Sequence, residues 1–257
     1  MKRIFVTVML SIVAGGYAFA ADLPQPPPPQ APAAYVPVVA PVYNWGGIYV
    51  GINGGYGFGS SNWTDPSNPV GSTGSFNTDG FLIGGTLGFN YQMNALVFGV
   101  EGDIDWQSLS GTSTGSFCTG VASSAVAVTG AGLSCQTKSD WLGTIRGRVG
   151  YAADRVLFYG TAGGAFGNVQ TGLNGLSLQS STEFGWTAGA GVEVAFADNW
   201  TARVEYLYVD LGNTTCNSTG SCGFDITATS PPNVAASDTV KFTESVVRAG
   251  VDYKFNF

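Results

Sequence analysis

From residue 45 onward the chain repeats one device, a short run in which every second residue is apolar. It is plainest at the C-terminus, where Val247, Ala249, Val251, Tyr253, Phe255 and Phe257 alternate with Arg248, Gly250, Asp252, Lys254 and Asn256. Period two predicts a β-strand, because successive Cβ atoms leave the backbone on opposite sides. Comparable runs at residues 45–58, 80–91, 96–106, 141–151, 156–166, 184–196 and 200–210, with a last one at 241–257, make eight. In each, one face is read as apolar and free of Asp, Glu, Lys and Arg, and five of the opposite faces carry charge. A water-soluble sandwich would turn its charged face to solvent. Here charge falls on the face that a narrow barrel encloses, which predicts that the uncharged face meets lipid.

The intervals between runs alternate in length. Those at residues 92–95, 152–155 and 197–199 are hairpin-short, while 59–75, 107–138, 168–182 and 212–238 are long. Short turns at one end and long loops at the other are the pattern of transmembrane barrels. Centring a hairpin on Asp198 pairs Phe196 with Trp200, Val194 with Ala202 and Glu193 with Arg203. Centring the turn at 152–155 pairs Tyr151 with Val156 and Val149 with Phe158. Both keep apolar residues on one face. The expected fold is all-β: a closed antiparallel up-and-down transmembrane barrel of eight strands, or ten if Val126 and Val128 in residues 121–133 extend a further hairpin.

Composition narrows this picture. Charged residues make up 11% of 257 residues, glycine numbers 38, and 13% are aromatic. Soluble domains carry about 25% charge. Beyond the N-terminus no stretch approaches the ~20 apolar residues of a helical span. Residues 1–20 read as a secretory signal peptide, with Lys2 and Arg3, an apolar run over 4–13 and the small-residue site Ala18-Phe19-Ala20. Loss of Lys2 and Arg3 takes the formal charge from -7 to -9, which leaves no basic surface for nucleic acid. Residues 21–43 hold most of the prolines and read as an extended periplasmic linker, with residues 44–257 as the barrel.

Four cysteines, Cys118, Cys135, Cys216 and Cys222, fall two in each of two long loops. An oxidising compartment favours disulfides, and four cysteines allow three pairings. Pairing within each loop needs no folded barrel. The spacings suit no zinc site and the chain has no histidine, so no metal or cofactor is expected. Gly111-Thr112-Ser113-Thr114-Gly115 has the spacing of a nucleophile elbow, but it sits in a loop without a strand-to-helix turn or a histidine base. No catalytic residue is identified, and the chain is read as non-enzymatic.

The inward acids Glu101, Asp103, Asp105, Glu193, Glu205, Glu244 and Asp252 face the inward bases Arg146, Arg148, Arg203, Arg248 and Lys254. They read either as ion pairs that fill and lock a narrow lumen or as the lining of a solute pore. An eight-stranded interior is just wide enough for side chains to fill, which favours the lock.

The aromatic-rich ending resembles that of single-chain outer-membrane barrels of Gram-negative bacteria. That resemblance implies that Tyr253, Phe255 and Phe257 are an assembly signal read by the barrel assembly machinery. More closely, Ala21-Asp22-Leu23-Pro24, the proline tract, the opening Asn44-Trp45-Gly46-Gly47-Ile48-Tyr49-Val50-Gly51 and the ending Tyr253-Lys254-Phe255-Asn256-Phe257 resemble the porin-like outer-membrane immunogenic proteins of alphaproteobacteria. The resemblance spans nearly the whole mature chain. It implies a surface antigen of the cell outer membrane, with termini in the periplasm and long loops outside, that supports envelope integrity and surface contact. Implied partners are outer-membrane lipid and lipopolysaccharide, with peptidoglycan or a host surface as further candidates. Two other functions stay open: a narrow channel for small solutes, and haemin binding, which without histidine would draw its ligands from Tyr, Met or Cys.

Overall fold

Alternation over the apolar runs produces eight antiparallel strands: β1 (Gly47–Thr64), β2 (Ser72–Met93), β3 (Leu96–Ser113), β4 (Cys135–Ala153), β5 (Val156–Leu173), β6 (Gln179–Ala195), β7 (Trp200–Cys216) and β8 (Asp238–Phe255). In this computed structural model the described residues are 43–64, 72–114, 134–173, 178–216 and 238–255. Each strand pairs with its sequence neighbours, and β1 pairs with β8 from Ile48↔Phe255 to Thr64↔Thr239, so the sheet closes. β3 pairs directly with β4, so eight strands complete the barrel. One circuit along paired residues starts at Gly47, passes Asn90, Gly99, Arg148, Thr161, Gly189, Leu207 and Val246, and returns to β1 at Gly57. That stagger tilts the strands and keeps the lumen narrow.

The three short connections are tight for identifiable reasons. Asn94 and Asp154 open two-residue turns with φ of 56° and 52°, a conformation that Asn and Asp tolerate better than other side chains. Residues 196–199 make the third, and there Glu193↔Arg203 and Val194↔Ala202 pair as the sequence predicts. The turn at Asp154 differs from expectation. Tyr151 pairs with Phe158 and Ala153 with Val156, because the loop contains two residues rather than four. The shift is of two positions, so every side chain keeps its face.

Outward residues form an apolar band between two aromatic rings. At the turn end stand Tyr91, Tyr151, Phe158, Trp200, Tyr253 and Phe255, with Trp200 and Tyr253 in edge contact at 5.1 Å. At the loop end stand Tyr56, Phe81, Trp106, Trp141, Phe166 and Trp186, including the Tyr56–Phe81 pair at 5.1 Å and the Trp141–Phe166 pair at 6.1 Å. Phe81 and Tyr91 lie ten positions apart on β2. At about 3.3 Å per residue and a tilt of roughly 40°, that separation is about 25 Å, the height of a bilayer-facing band.

Strands run well past this band, and here the sequence reading needs correcting. Much of what reads as long loop is strand: β1 continues to Thr64, β3 to Ser113 and β7 to Cys216. Above the upper ring the outward face turns polar, as at Ser60 and Asn62, and the inward face mixes Ser61 with buried Trp63, so hydrophobic alternation fades while backbone pairing continues. Gly111, Thr112 and Ser113, read as loop, lie in β3 opposite Thr137, Gln136 and Cys135. The outward face is also not free of charge throughout. Asp79 and Lys241 are exposed and Asp210 is half-buried, all three on the outward face beyond the apolar band where the wall leaves hydrocarbon. Residues 1–42, 121–133 and 256–257, on which the leader, most of the linker, the possible extra hairpin and Phe257 fall, lie outside the described residues.

Ile52 projects from mid-band and is 72% exposed. We expect Ile52→Arg to destabilise the barrel in phospholipid vesicles by about 2–4 kcal/mol in reversible denaturant unfolding. Asn62→Arg, on the same face of β1 above the upper ring, is expected to change stability by less than about 1 kcal/mol.

Candidate functional site in the barrel lumen

Inward positions of β3, β4, β6, β7 and β8 bring six carboxylates against four guanidiniums. Register does the first part of the work, setting Glu101 directly opposite Arg146, and Glu205 directly opposite Arg248. Arg146 reaches Glu101 at 2.5 Å, Asp103 at 2.7 Å and Glu205 at 2.9 Å. Arg248 reaches Asp105 at 2.7 Å, Glu205 at 2.8 Å and Asp103 at 3.1 Å. Arg203 pairs with Glu101 at 2.5 Å and stands 3.4 Å from Asp252, and Arg148 pairs with Glu193 at 2.7 Å. All four arginine side chains are at most 1% exposed. Water that filled the lumen would touch them, so here the lumen is filled by protein.

Two tyrosines tie the pairs to the opposite wall. Tyr49 of β1 donates to Glu101 at 2.6 Å and accepts from Arg148 at 2.9 Å. Tyr159 of β5 donates to Glu205 at 3.2 Å, and its ring lies 3.9 Å beneath the Arg148 guanidinium. Each ring reaches close over a neighbouring glycine. A Cβ at Gly88 would overlap the Tyr49 ring, and one at Gly191 would stand 2.5 Å from the Tyr159 hydroxyl. Bare backbone at these two places is what lets the rings lie across the lumen.

The charged layer is closed from both sides. Toward the turns, Tyr43 and Trp45 fold into the mouth and pack with Val97, Ala152, Leu157 and Ala195. Trp45 is 1% exposed; its backbone N donates to Gln92 at 2.6 Å and its indole to the Asp154 carbonyl at 2.9 Å. Lys254 donates to the Asn44 carbonyl and lies 4.2 Å from the Tyr43 ring. Burial, with the charge of Glu193 second, pushes the Tyr43 phenol up to about 12, so it stays neutral in this mouth. Toward the loops the lumen is apolar: Leu82, Leu109, Leu142, Leu207, Leu211, Phe242 and Val246 form one buried cluster.

Of the residues predicted to meet inside, Glu101, Asp103, Asp105, Arg146, Arg148, Glu193, Arg203, Glu205, Arg248 and Asp252 share this layer. Lys254 does not. It lies two positions nearer the turns than Asp252 and serves the Asn44–Tyr43 closure. Glu244 is separated as well, 1% exposed among the apolar residues and 3.4 Å from Gln107. Tyr253 and Phe255 belong to the turn-side aromatic ring. Cys135 opens β4 and Cys216 closes β7; neither is a free thiol, and Cys118 and Cys222 lie outside the described residues. Sequence reasoning missed the cap made by Trp45, which reads as a strand residue, and the apolar upper lumen. The latter was signalled by Leu207, Val209 and Leu211, which share a parity with Arg203 and Glu205.

Residues 30–255 match the family described as outer membrane protein beta-barrel domain. The 25 kDa outer-membrane immunogenic protein of Brucella abortus is 34% identical over 93% of this chain and 91% of its own length. The 31 kDa outer-membrane immunogenic protein of Brucella melitensis is 37% identical over 68% of this chain and 76% of its own. The 22 kDa outer membrane protein of Rhizobium leguminosarum is 36% identical over 67% of each. Among solved structures, Neisserial surface protein A aligns with 81% of this chain and 97% of its own at 17% identity and a TM-score of 0.37.

Removing one member of the buried layer strands its partners. Arg248→Met leaves Asp105 without its ion-pair partner and Asp103 and Glu205 sharing Arg146, and is expected to cost about 3–5 kcal/mol of unfolding free energy. Adding Asp105→Asn should recover part of that loss, read from denaturant midpoints and the heat-dependent gel shift of the folded barrel. Trp45→Ala is expected to cost about 3 kcal/mol through the cavity left in the mouth.

Proposed function

Because the chain belongs to the outer membrane protein beta-barrel family and resides in the outer membrane, we propose that it works as a closed, non-enzymatic barrel that supports envelope integrity and carries surface-contact loops. The short turns and both chain ends face the periplasm on this reading, and the long loops face outward. The observation that carries it is the filled lumen. Four arginines, each at most 1% exposed, are ion-paired across the barrel, between an aromatic cap and an apolar cluster. A path for solutes would require these layers to part, and desolvated ion pairs broken one at a time cost several kcal/mol each.

A barrel of this kind contributes by being inert and anchored. The wall holds its place in the bilayer through two aromatic rings, while the strand stems raise the loops clear of the lipid. A haem-binding role would need a free axial ligand. Within the lumen the Tyr49 and Tyr159 hydroxyls are already committed to Glu101 and Glu205, so neither is free to serve as that ligand.

The test is planar-bilayer conductance of the refolded protein. Wild type is expected to give no reproducible openings, whereas Arg148→Ala combined with Trp45→Ala, which empties the mouth and unties Glu193, is expected to give transient ones. Steady openings in wild type that Arg148→Ala alters would replace this reading with that of a narrow channel.

A further inference from the structure

Above the apolar band the wall is not continuous. Six of the eight ladders run on to the ends of their strands, at Thr64↔Ser72, Thr64↔Thr239, Ser113↔Cys135, Cys135↔Leu173, Thr171↔Gln179 and Cys216↔Asp238. Two stop early. The β6–β7 ladder ends at Trp186↔Asp210, although β6 begins at Gln179 and β7 reaches Cys216. The β2–β3 ladder ends at Asp79↔Ser110, although β2 begins at Ser72 and β3 reaches Ser113. Both stops fall where the wall leaves hydrocarbon. An unpaired N–H or C=O is costly in lipid, whereas water can satisfy it above, so a break in pairing is tolerated only there.

The breaks divide the loop-side rim into two four-stranded leaves, one of β7, β8, β1 and β2, the other of β3, β4, β5 and β6. Of the long connections, β1–β2 and β7–β8 stay within the first leaf, and β3–β4 and β5–β6 within the second. Four strands separate the breaks in either direction, so they face each other across the barrel. They differ in build. At β2–β3 the backbones still touch, since a Cβ on Gly111 would stand 2.3 Å from the Asn77 carbonyl oxygen. Between β6 and β7 side chains take the place of the ladder: Ser181 Oγ lies 2.8 Å from Thr214 Oγ1, and Gln179 Nε2 donates to the Thr215 carbonyl at 3.3 Å. At the foot of that seam, Gly212 with φ of 75° and the bulge between Asp210 and Asn213 put a joint in β7.

Inside the lumen the leaves are tied across by side chains. Trp63 of β1, 0% exposed, donates from its indole to Thr137 Oγ1 of β4 at 3.1 Å, and Ser61 Oγ lies 2.9 Å from the same hydroxyl. Thr171 of β5 donates to Cys216 Sγ of β7 at 3.3 Å. Each such bond contributes little net stability, because water can replace it when the groups part. We propose that the loop-side rim is a two-leaved clasp, hinged at the β2–β3 break, that parts along the β6–β7 seam with Thr137 as its latch. Parting moves the loops as two sets and opens the upper lumen beside Leu211 and Val169. The charged layer lies below, where the β6–β7 ladder is unbroken from Trp186 to Ala195, and stays shut. The clasp does not depend on which side of the membrane the loops face.

Spin labels on introduced cysteines in the unreduced, refolded full chain read the motion by dipolar coupling. Ser180→Cys with Asn213→Cys spans the seam at two exposed positions; Asn62→Cys with Lys241→Cys, partners across β1 and β8, spans continuous wall. The seam pair is expected to show two distances and the wall pair one. Thr137→Val should raise the longer-distance population about fivefold, the effect of one lost hydrogen bond. Trp63→Phe, which removes only the indole donor, should act in the same direction and serves if Thr137→Val loses the heat-dependent gel shift of the folded barrel. One narrow distance at the seam in wild type and in both variants would overturn the clasp. Two distances at both pairs alike would overturn it as well, since the whole rim would then fray, and an unchanged population in both folded variants would overturn the latch.

Discussion

Closure of the β1–β8 ladder is the constraint from which the rest follows. A sheet in hydrocarbon cannot leave an edge of unpaired N–H and C=O groups, since each would cost several kcal/mol. Pairing from Ile48↔Phe255 to Thr64↔Thr239 removes both edges at once. Eight strands closed with this stagger enclose a lumen that side chains can fill, and a filled lumen excludes water. Inward charges must then be balanced largely within the protein.

That requirement explains how the inward residues are sorted. Charges gather in one layer, where register and the long reach of arginine let each guanidinium satisfy more than one carboxylate. Arg146 bridges β3 and β7, and Arg248 does the same from the other side. Outside this layer, inward residues gain by being apolar, because an isolated charge would have no partner. The lumen is therefore charged in the middle and greasy at both ends. Glu244 is an exception toward the loops, buried beyond the arginines with Gln107 as its neighbour.

Legibility in the sequence followed the solvent. Where one face meets lipid and the other a packed interior, as in Val247 to Phe255, period two is strong and the eight strands, their faces and the charged layer could all be read. Above the lipid band water wets the outward face, alternation lapses and Gly111–Ser113 read as loop although its backbone remains in the ladder. The register at Asp154 was misplaced by two positions because parity constrains only odd shifts; loop length had to decide between even ones. Trp45 looked like the first strand residue because an aromatic on the right parity carries no sign of whether it faces lipid or folds into the mouth. Lys254 likewise has the right parity for the network and the wrong height, and height is invisible to a two-residue period.

The two ends of the barrel are built to different tolerances. At the turn end, Asn94 and Asp154 hold tight turns, Gln92 and the Asp154 carbonyl grip Trp45, and Lys254 holds Asn44, so a change in any one of them disturbs others. At the loop end, polar stems continue the ladder beyond the apolar cluster of Leu109, Leu142 and Phe242. Substitutions above that cluster alter neither the buried charges nor the lipid face. Stability thus rests mainly on the buried charges, the apolar cluster and the lipid face, with the stems adding backbone pairing. On the loop orientation proposed above, that separation lets the exterior change while the anchor stays the same.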